Sequence, residues 1–188
     1  MSHSCEDYSI DGEGWLKPVR RLPSPNFNAR PIRGDISLLV IHNISLPAGQ
    51  FGSGNIEALF TNCLDCSIHP SFDDLRELSV SSHLLIDRDG GVSQFVSFED
   101  RAWHAGVSVY DGREKCNDFS IGIELEGCDD IAYTSAQYRE LINISHCFSR
   151  YYPAINLGRI VGHCDIAPGR KTDPGPAFDW PLYKNALG

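Results

Sequence analysis

Ile36-Ser-Leu-Leu-Val-Ile41, followed at once by His42, is the stretch on which the reading of the fold turns. It is apolar, partly β-branched and too short for a core helix, so it reads as a buried strand. A histidine directly after such a strand stands on a rigid mount at the rim of a sheet. Working outward, Ser120-Ile-Gly-Ile-Glu-Leu-Glu126 alternates cleanly, sending Ile121, Ile123 and Leu125 into a core and leaving Gly122, Glu124 and Glu126 on the opposite face. The small Gly122 leaves space beside the carboxylates that suits the floor of a cleft.

Ser81-Ser-His-Leu-Leu-Ile-Asp87 and Val92-Ser-Gln-Phe-Val96, joined through Arg88-Asp-Gly-Gly91, predict a β-hairpin. Thr134 with Gln137 predicts a capping box that opens a helix running to about Tyr152, before Pro153, with Tyr138, Leu141, Ile142, Phe148 and Tyr152 as its buried stripe. Asn55 is expected to cap a short helix over Ile56–Asn62. Arg159-Ile-Val161 reads as a last short strand. The segment from Arg20 through Pro31, broken by prolines, is an extended arm whose arginines are expected in surface ion pairs. Strands mixed with helices, without repeats or an interdomain linker, give one α/β domain over 14–188 behind a flexible polar leader at 1–13.

Gly162-His-Cys-Asp-Ile-Ala-Pro-Gly-Arg-Lys-Thr-Asp-Pro-Gly-Pro176 carries the chemistry. Prolines and glycines make it an irregular loop with a restricted backbone, which holds side chains in place. His163 and Asp173 suit a borderline dication, and Arg170 and Lys171 suit an anion or a developing negative charge. A catalytic zinc has three protein ligands and one open position, so a third ligand is needed. His42 and His83 compete for that place, His83 lying with Leu85 and Asp87 on one face of the hairpin. Cys63-x-x-Cys66-x-x-His69 lacks the second ligand pair of a structural zinc site and reads as loop thiols.

The net charge of −9 argues against nucleic-acid backbones and anionic membranes as partners. No run reaches the roughly 18 apolar residues needed to cross a bilayer. Met1-Ser-His-Ser-Cys-Glu-Asp-Tyr8 has neither the basic region nor the apolar core of a secretory signal. The expectation is a cytoplasmic monomer whose seven cysteines are reduced thiols.

Four segments carry a family resemblance: Leu39-Val-Ile-His-Asn-Ile-Ser-Leu-Pro47, Arg101-Ala-Trp-His-Ala-Gly-Val107, Cys116-Asn-Asp-Phe-Ser-Ile-Gly-Ile-Glu-Leu-Glu-Gly127, and Gly162 through Trp180. In order and content, from about Gly14 to Trp180, they resemble the AmpD-type amidases. These are cytoplasmic zinc enzymes that remove the peptide from anhydro-N-acetylmuramyl peptides during cell-wall recycling, an activity linked to β-lactamase induction.

The resemblance implies a mixed central sheet flanked by helices, with one zinc at an edge of the sheet. It assigns the metal to His42, His163 and Asp173, and so decides for His42 over His83. It points to Glu124, rather than Glu126, as the catalytic carboxylate, with Lys171 beside it. It further implies an anhydro-muropeptide as substrate, met by Asn43, Trp103, His104 and Arg170; Arg170 has the alternative of buttressing its loop. One departure stands out: close relatives carry an arginine in the Leu-Arg-Val-Ser segment, and this chain has Ser79 in Leu78-Ser-Val-Ser81. Two other readings compete, a zinc amidase acting on intact peptidoglycan and a recognition module that binds muropeptides without cleaving them.

Overall fold

The computed structural model describes residues 8–188. Its strands and α-helices are, in chain order, β1 (Ser9–Ile10), β2 (Leu16–Lys17), β3 (Arg20–Arg21), β4 (Phe27–Ala29), β5 (Leu38–Ile44), α1 (Asn55–Phe60), β6 (Leu84–Ile86), β7 (Val92–Gln94), β8 (Asp100–Ala102), β9 (Val109–Tyr110), β10 (Arg113–Glu114), β11 (Ser120–Glu126), α2 (Ser135–Tyr151), β12 (Ile160–Gly162), α3 (His163–Ile166) and α4 (Trp180–Leu187).

Six strands form the central sheet in the order β12-β5-β11-β6-β7-β3. The β12, β5, β11 and β6 strands run parallel, and β7 turns back antiparallel to β6, so the sheet is mixed. The hairpin expected over 81–96 is present but shorter, pairing Ile86 with Val92 and Leu84 with Gln94. The Asp87 carboxylate accepts from the backbone N–H groups of Asp89 and Gly91, which closes the turn.

The period of two splits the sheet into two surfaces with different work. Leu39, Ile41, Ile121, Ile123, Leu125, Leu84 and Ile86 face Leu141, Ile144 and Phe148 of α2 in one fully buried cluster. The alternate residues, His42 and Glu124 among them, face away from α2. The β5–β11 register sets Glu124 directly beside His42 and Gly122 beside Val40. Parallel strands deliver their carboxyl ends to one side, where α/β sheets bind ligands. His42, Glu124 and, just past β12, His163 all arrive there.

Helix α2 begins as its sequence predicts: the Thr134 hydroxyl accepts from Gln137 N–H at 3.1 Å and the Gln137 amide oxygen accepts from Thr134 N–H at 3.1 Å. Elsewhere local signals give way to tertiary ones. Asn55 does not cap α1; that place belongs to Gly54, at φ 76°, while the Asn55 amide donates to Leu46 O. Residues 8–13 of the expected leader are ordered: Tyr8 and Ile10 are buried in the main core, and Ser9–Ile10 pairs with Leu16–Lys17. Residues 1–7 lie outside the described residues. The arm contributes β3 to the sheet edge, but Arg30 is 6% exposed and donates to the carbonyls of Phe98, Asn117, Asp118 and Ser120 instead of pairing at the surface. Helix α4 has no counterpart in the sequence reading; its buried Tyr183 hydroxyl meets Ser145 of α2 at 2.6 Å.

Thr134→Ala is expected to cost about 1 kcal/mol of stability, the ordinary worth of an N-cap. Urea denaturation checks this, and the His42 face of the sheet, turned away from α2, should be unaffected.

Candidate active site

The corner is built from three elements. His42 is the fifth residue of β5 and 1% exposed. His163 opens α3 straight after β12 and is 3% exposed. Asp173 lies in the turn-rich segment beyond it, which the sequence reading took as irregular throughout but which begins with the short α3. The Asp173 loop is pinned by its own backbone: Cys164 N–H donates to Asp173 O, and the Tyr133 hydroxyl donates to Pro174 O. Gly175, at φ 78°, lies so close to Asp129 that a Cβ there would stand 2.3 Å from the Asp129 Cα.

Three donor atoms converge. His42 Nδ1 lies 3.0 Å from His163 Nδ1, and each lies 3.1 Å from Asp173 Oδ2. In a tetrahedral zinc site with bonds of about 2.0–2.1 Å, ligand atoms stand about 3.3 Å apart, so the triangle matches to within a few tenths of an ångström. The far nitrogen fixes the tautomer of His163 and admits the matching one for His42. His163 Nε2 faces Ala105 O at 3.1 Å, an acceptor only, so it carries the proton and leaves Nδ1 with a lone pair. His42 Nε2 meets His104 Nδ1 at 2.9 Å, and His104 Nε2 meets the Ser120 hydroxyl at 3.1 Å. Both imidazoles can thus point lone pairs, with a carboxylate oxygen, at one spot. That donor set suits a divalent zinc.

Burial lowers the His42 imidazole to about 4, partly offset by its contact with Asp173. Burial by itself would raise the Asp173 carboxyl, but its contacts with the His163 and His42 imidazoles outweigh it and hold the group below the usual carboxylate range.

Glu124 and Glu126 separate here. The Glu126 carboxylate accepts from the backbone N–H of Gly52 at 2.6 Å and of Arg88 at 3.2 Å, which makes it an anchor for two loops. Glu124 is 8% exposed and its Oε2 is buried without a hydrogen-bond partner. Burial pushes its carboxyl well above the ordinary value, the charge of Asp173 pushes it further, and Lys171 opposes both.

Around the corner lies a cleft of about 230 Å³, lined on the polar side by His42, Glu124, His163, Lys171 and Asp173. Leu46, Leu59, Phe60, Leu75, Leu78 and Val80, all from the long 43–80 connection, form its apolar wall. Trp103 and His104 also line it. Of the residues expected at the substrate, Trp103 turns its indole N–H outward to Asn28 at 2.7 Å. The Asn43 amide donates to Asp129 at 2.8 Å. Arg170 does not line the cleft; its guanidinium donates to Ala105 O and Val107 O at 2.6 and 2.7 Å, the buttressing use. The space that Gly122 leaves is not open cleft floor, because the His104 ring fills it. His83 is fully buried, accepting from Gly122 N–H at Nδ1 and facing Asp100 O at Nε2, a sheet residue apart from the donor triangle. Cys63 and Cys66 are free thiols, as are all the described cysteines.

Parallel strands that bring two imidazoles and a carboxylate to one point, beside an unbonded buried carboxyl, define the class: an α/β protein built as metal-dependent hydrolases are. The chain belongs to the N-acetylmuramoyl-L-alanine amidase family, which its residues 32–176 match, and it is an amidase. It is 56% identical over 172 residues to the 1,6-anhydro-N-acetylmuramyl-L-alanine amidase AmpD of Escherichia coli strain K12, covering 92% of this chain and 93% of that protein. A crystal structure of a selenomethionine AmpD derivative superposes with a TM-score of 0.90 at 55% identity, covering 95% of this chain and 99% of that one. The complex of the E. coli amidase AmiD with anhydro-N-acetylmuramic acid-L-Ala-D-γ-Glu-L-Lys matches at a TM-score of 0.60 and 28% identity, covering 96% of this chain and 65% of that one. Among the described residues, no helix is long and apolar enough to cross a membrane.

His42, His83 and His104 are all held neutral by burial, below their ordinary values. Unfolding frees them to take up protons below about pH 6.5, so each subtracts up to about 1.4 kcal/mol of stability per pH unit on acidification. In chelator-treated protein, stability should therefore fall from pH 7 to pH 5, and His83→Gln should flatten that slope. Urea titrations across the range decide it; an unchanged slope would count against a neutral His83.

Proposed function

We propose that the protein is a zinc-dependent amidase that cuts the bond between the lactyl group of 1,6-anhydro-N-acetylmuramic acid and the L-alanine of a stem peptide. It acts as a cytoplasmic monomer in peptidoglycan recycling, with the domain over 14–188 as its catalytic unit. The carrying observation is the donor triangle of His42, His163 and Asp173 beside the unbonded Glu124 carboxyl. The names of its AmpD relatives support the choice of bond.

His42 Nδ1, His163 Nδ1 and Asp173 Oδ2 would hold a zinc ion, which would supply Lewis-acid chemistry and lower the pKa of water at the site to about 7. Glu124 is the proton carrier. Its raised affinity for a proton suits it to accept one from the attacking water and to deliver it to the departing alanine nitrogen. Lys171, exposed at the cleft edge, donates to the negative charge that develops on the carbonyl oxygen, an interaction worth about 3 kcal/mol when preorganised. Trp103 and the apolar wall hold sugar and peptide in place and exclude water from the corner. The amides and guanidinium of Asn43 and Arg170 act on substrate through the loops they brace.

Hydrolysis of a purified anhydro-N-acetylmuramyl tripeptide, followed by mass spectrometry, tests this. Zinc-loaded protein should release intact tripeptide, and chelated protein none. Glu124→Ala should lose about 10²–10⁴-fold in kcat while still binding zinc, and Lys171→Ala about 10²–10³-fold. Activity that survives zinc removal would sink the mechanism, and a preference for whole sacculi over the soluble fragment would sink the substrate assignment.

A further inference from the structure

Both imidazoles of the donor triangle are held from behind by neighbouring residues of one loop. His104 Nδ1 receives His42 Nε2 at 2.9 Å, and Ala105 O receives His163 Nε2 at 3.1 Å. The loop is fastened by one side chain: Asn117, 5% exposed, accepts from His104 N–H at 3.1 Å and from Ala105 N–H at 2.8 Å through a single oxygen. The His104 ring is seated on Gly122, where a Cβ would stand 2.6 Å from its Cγ and Nδ1. Its plane crosses that of His42 at 86°, so the nitrogens meet edge on. With the lone pair of His42 Nδ1 turned to the donor triangle, its proton lies on Nε2, and the relay then runs from His42 N–H to His104 Nδ1 and from His104 N–H to Ser120 Oγ, which as a hydroxyl can accept it.

We propose that His104 and the Ala105 carbonyl form a bracket that orients both metal-binding imidazoles, with His104 a positioning residue acting through His42, Gly122 its seat and Asn117 its pin. This rests on the metal reading of the corner. The acceptor at His104 Nδ1 keeps the proton of His42 on Nε2 and its ring in one rotamer, so Nδ1 presents its lone pair without prior rearrangement. A carbonyl does the same for His163. Partners of this kind are worth about 10–100-fold in metal affinity.

The test is zinc affinity, read by competition with a chromophoric chelator and without any substrate. His104→Leu removes the acceptor and should weaken zinc binding about 10–100-fold. His104→Asn returns an amide oxygen near the Nδ1 position and should recover most of the loss. Gly122→Ala pushes the ring off its seat, so it should weaken binding too, and the His104→Leu, Gly122→Ala double variant should be no worse than His104→Leu alone. Zinc affinity unchanged in His104→Leu, or equal losses in the Leu and Asn variants, would overturn the proposal. Should His104→Leu not fold, His104→Gln, whose oxygen falls near Nε2, takes its place in the comparison with Asn. A wild-type chain that binds no zinc would instead defeat the metal reading on which the bracket rests.

Discussion

Three electron-rich atoms, two imidazole nitrogens and a carboxylate oxygen, stand 3.0–3.1 Å apart in a nearly dry corner. Lone pairs at that distance repel unless positive charge lies between them, and burial makes the repulsion stronger by lowering the local dielectric. The surrounding structure holds them there from several directions. The β5, β11 and β12 strands supply the mounts, Tyr133 and Asp129 press on the Asp173 loop, and residues 104 and 105 turn the far nitrogens outward. A cation is the natural completion of that arrangement.

The same corner explains why two glutamates of one strand differ. Glu126 has two backbone N–H partners; Glu124 Oε2 has none among the described residues, and its carboxyl feels the charge of Asp173. A carboxylate whose oxygens accept from loop amides serves as an anchor. One left short of partners takes up a proton readily and can release it again. Position on the strand is shared, and chemistry is set by what each carboxyl touches.

Features with a local cause were legible in the sequence. The strand through Leu38–Ile41, which runs on past His42 to Ile44, the alternation of 120–126, the hairpin and the Thr134–Gln137 capping box all follow from period or from contacts three residues apart. His42, His163 and Asp173 were singled out from residue type and family resemblance, and their meeting at one point was not visible in spacing. What escaped depends on partners far along the chain. Arg30 looks like a surface arginine until four carbonyls from 98, 117, 118 and 120 enclose it. Asn43 and His104 line the cleft, Arg170 does not, and all three spend polar atoms on the protein itself: on Asp129, on His42 with Ser120, and on the 105–107 backbone. Gly122 reads as empty space because the ring that fills it comes from a loop 18 residues away. Tyr8 and Ile10 are too few to mark a core segment, and only their fit against β2 and α2 shows that they belong to one.

Strand β11 carries core and site on alternate residues, with Ile121, Ile123 and Leu125 against α2 and Gly122 and Glu124 toward the triangle. A slip of one position would exchange the two sets completely. Carboxylates would enter the apolar layer, and isoleucine would occupy the place beside His42. The first error would cost the apolar layer and the second the place of the proposed proton carrier, so neither can occur alone. For this strand, a chain that passes a test of stability has already placed its glutamate beside its histidine.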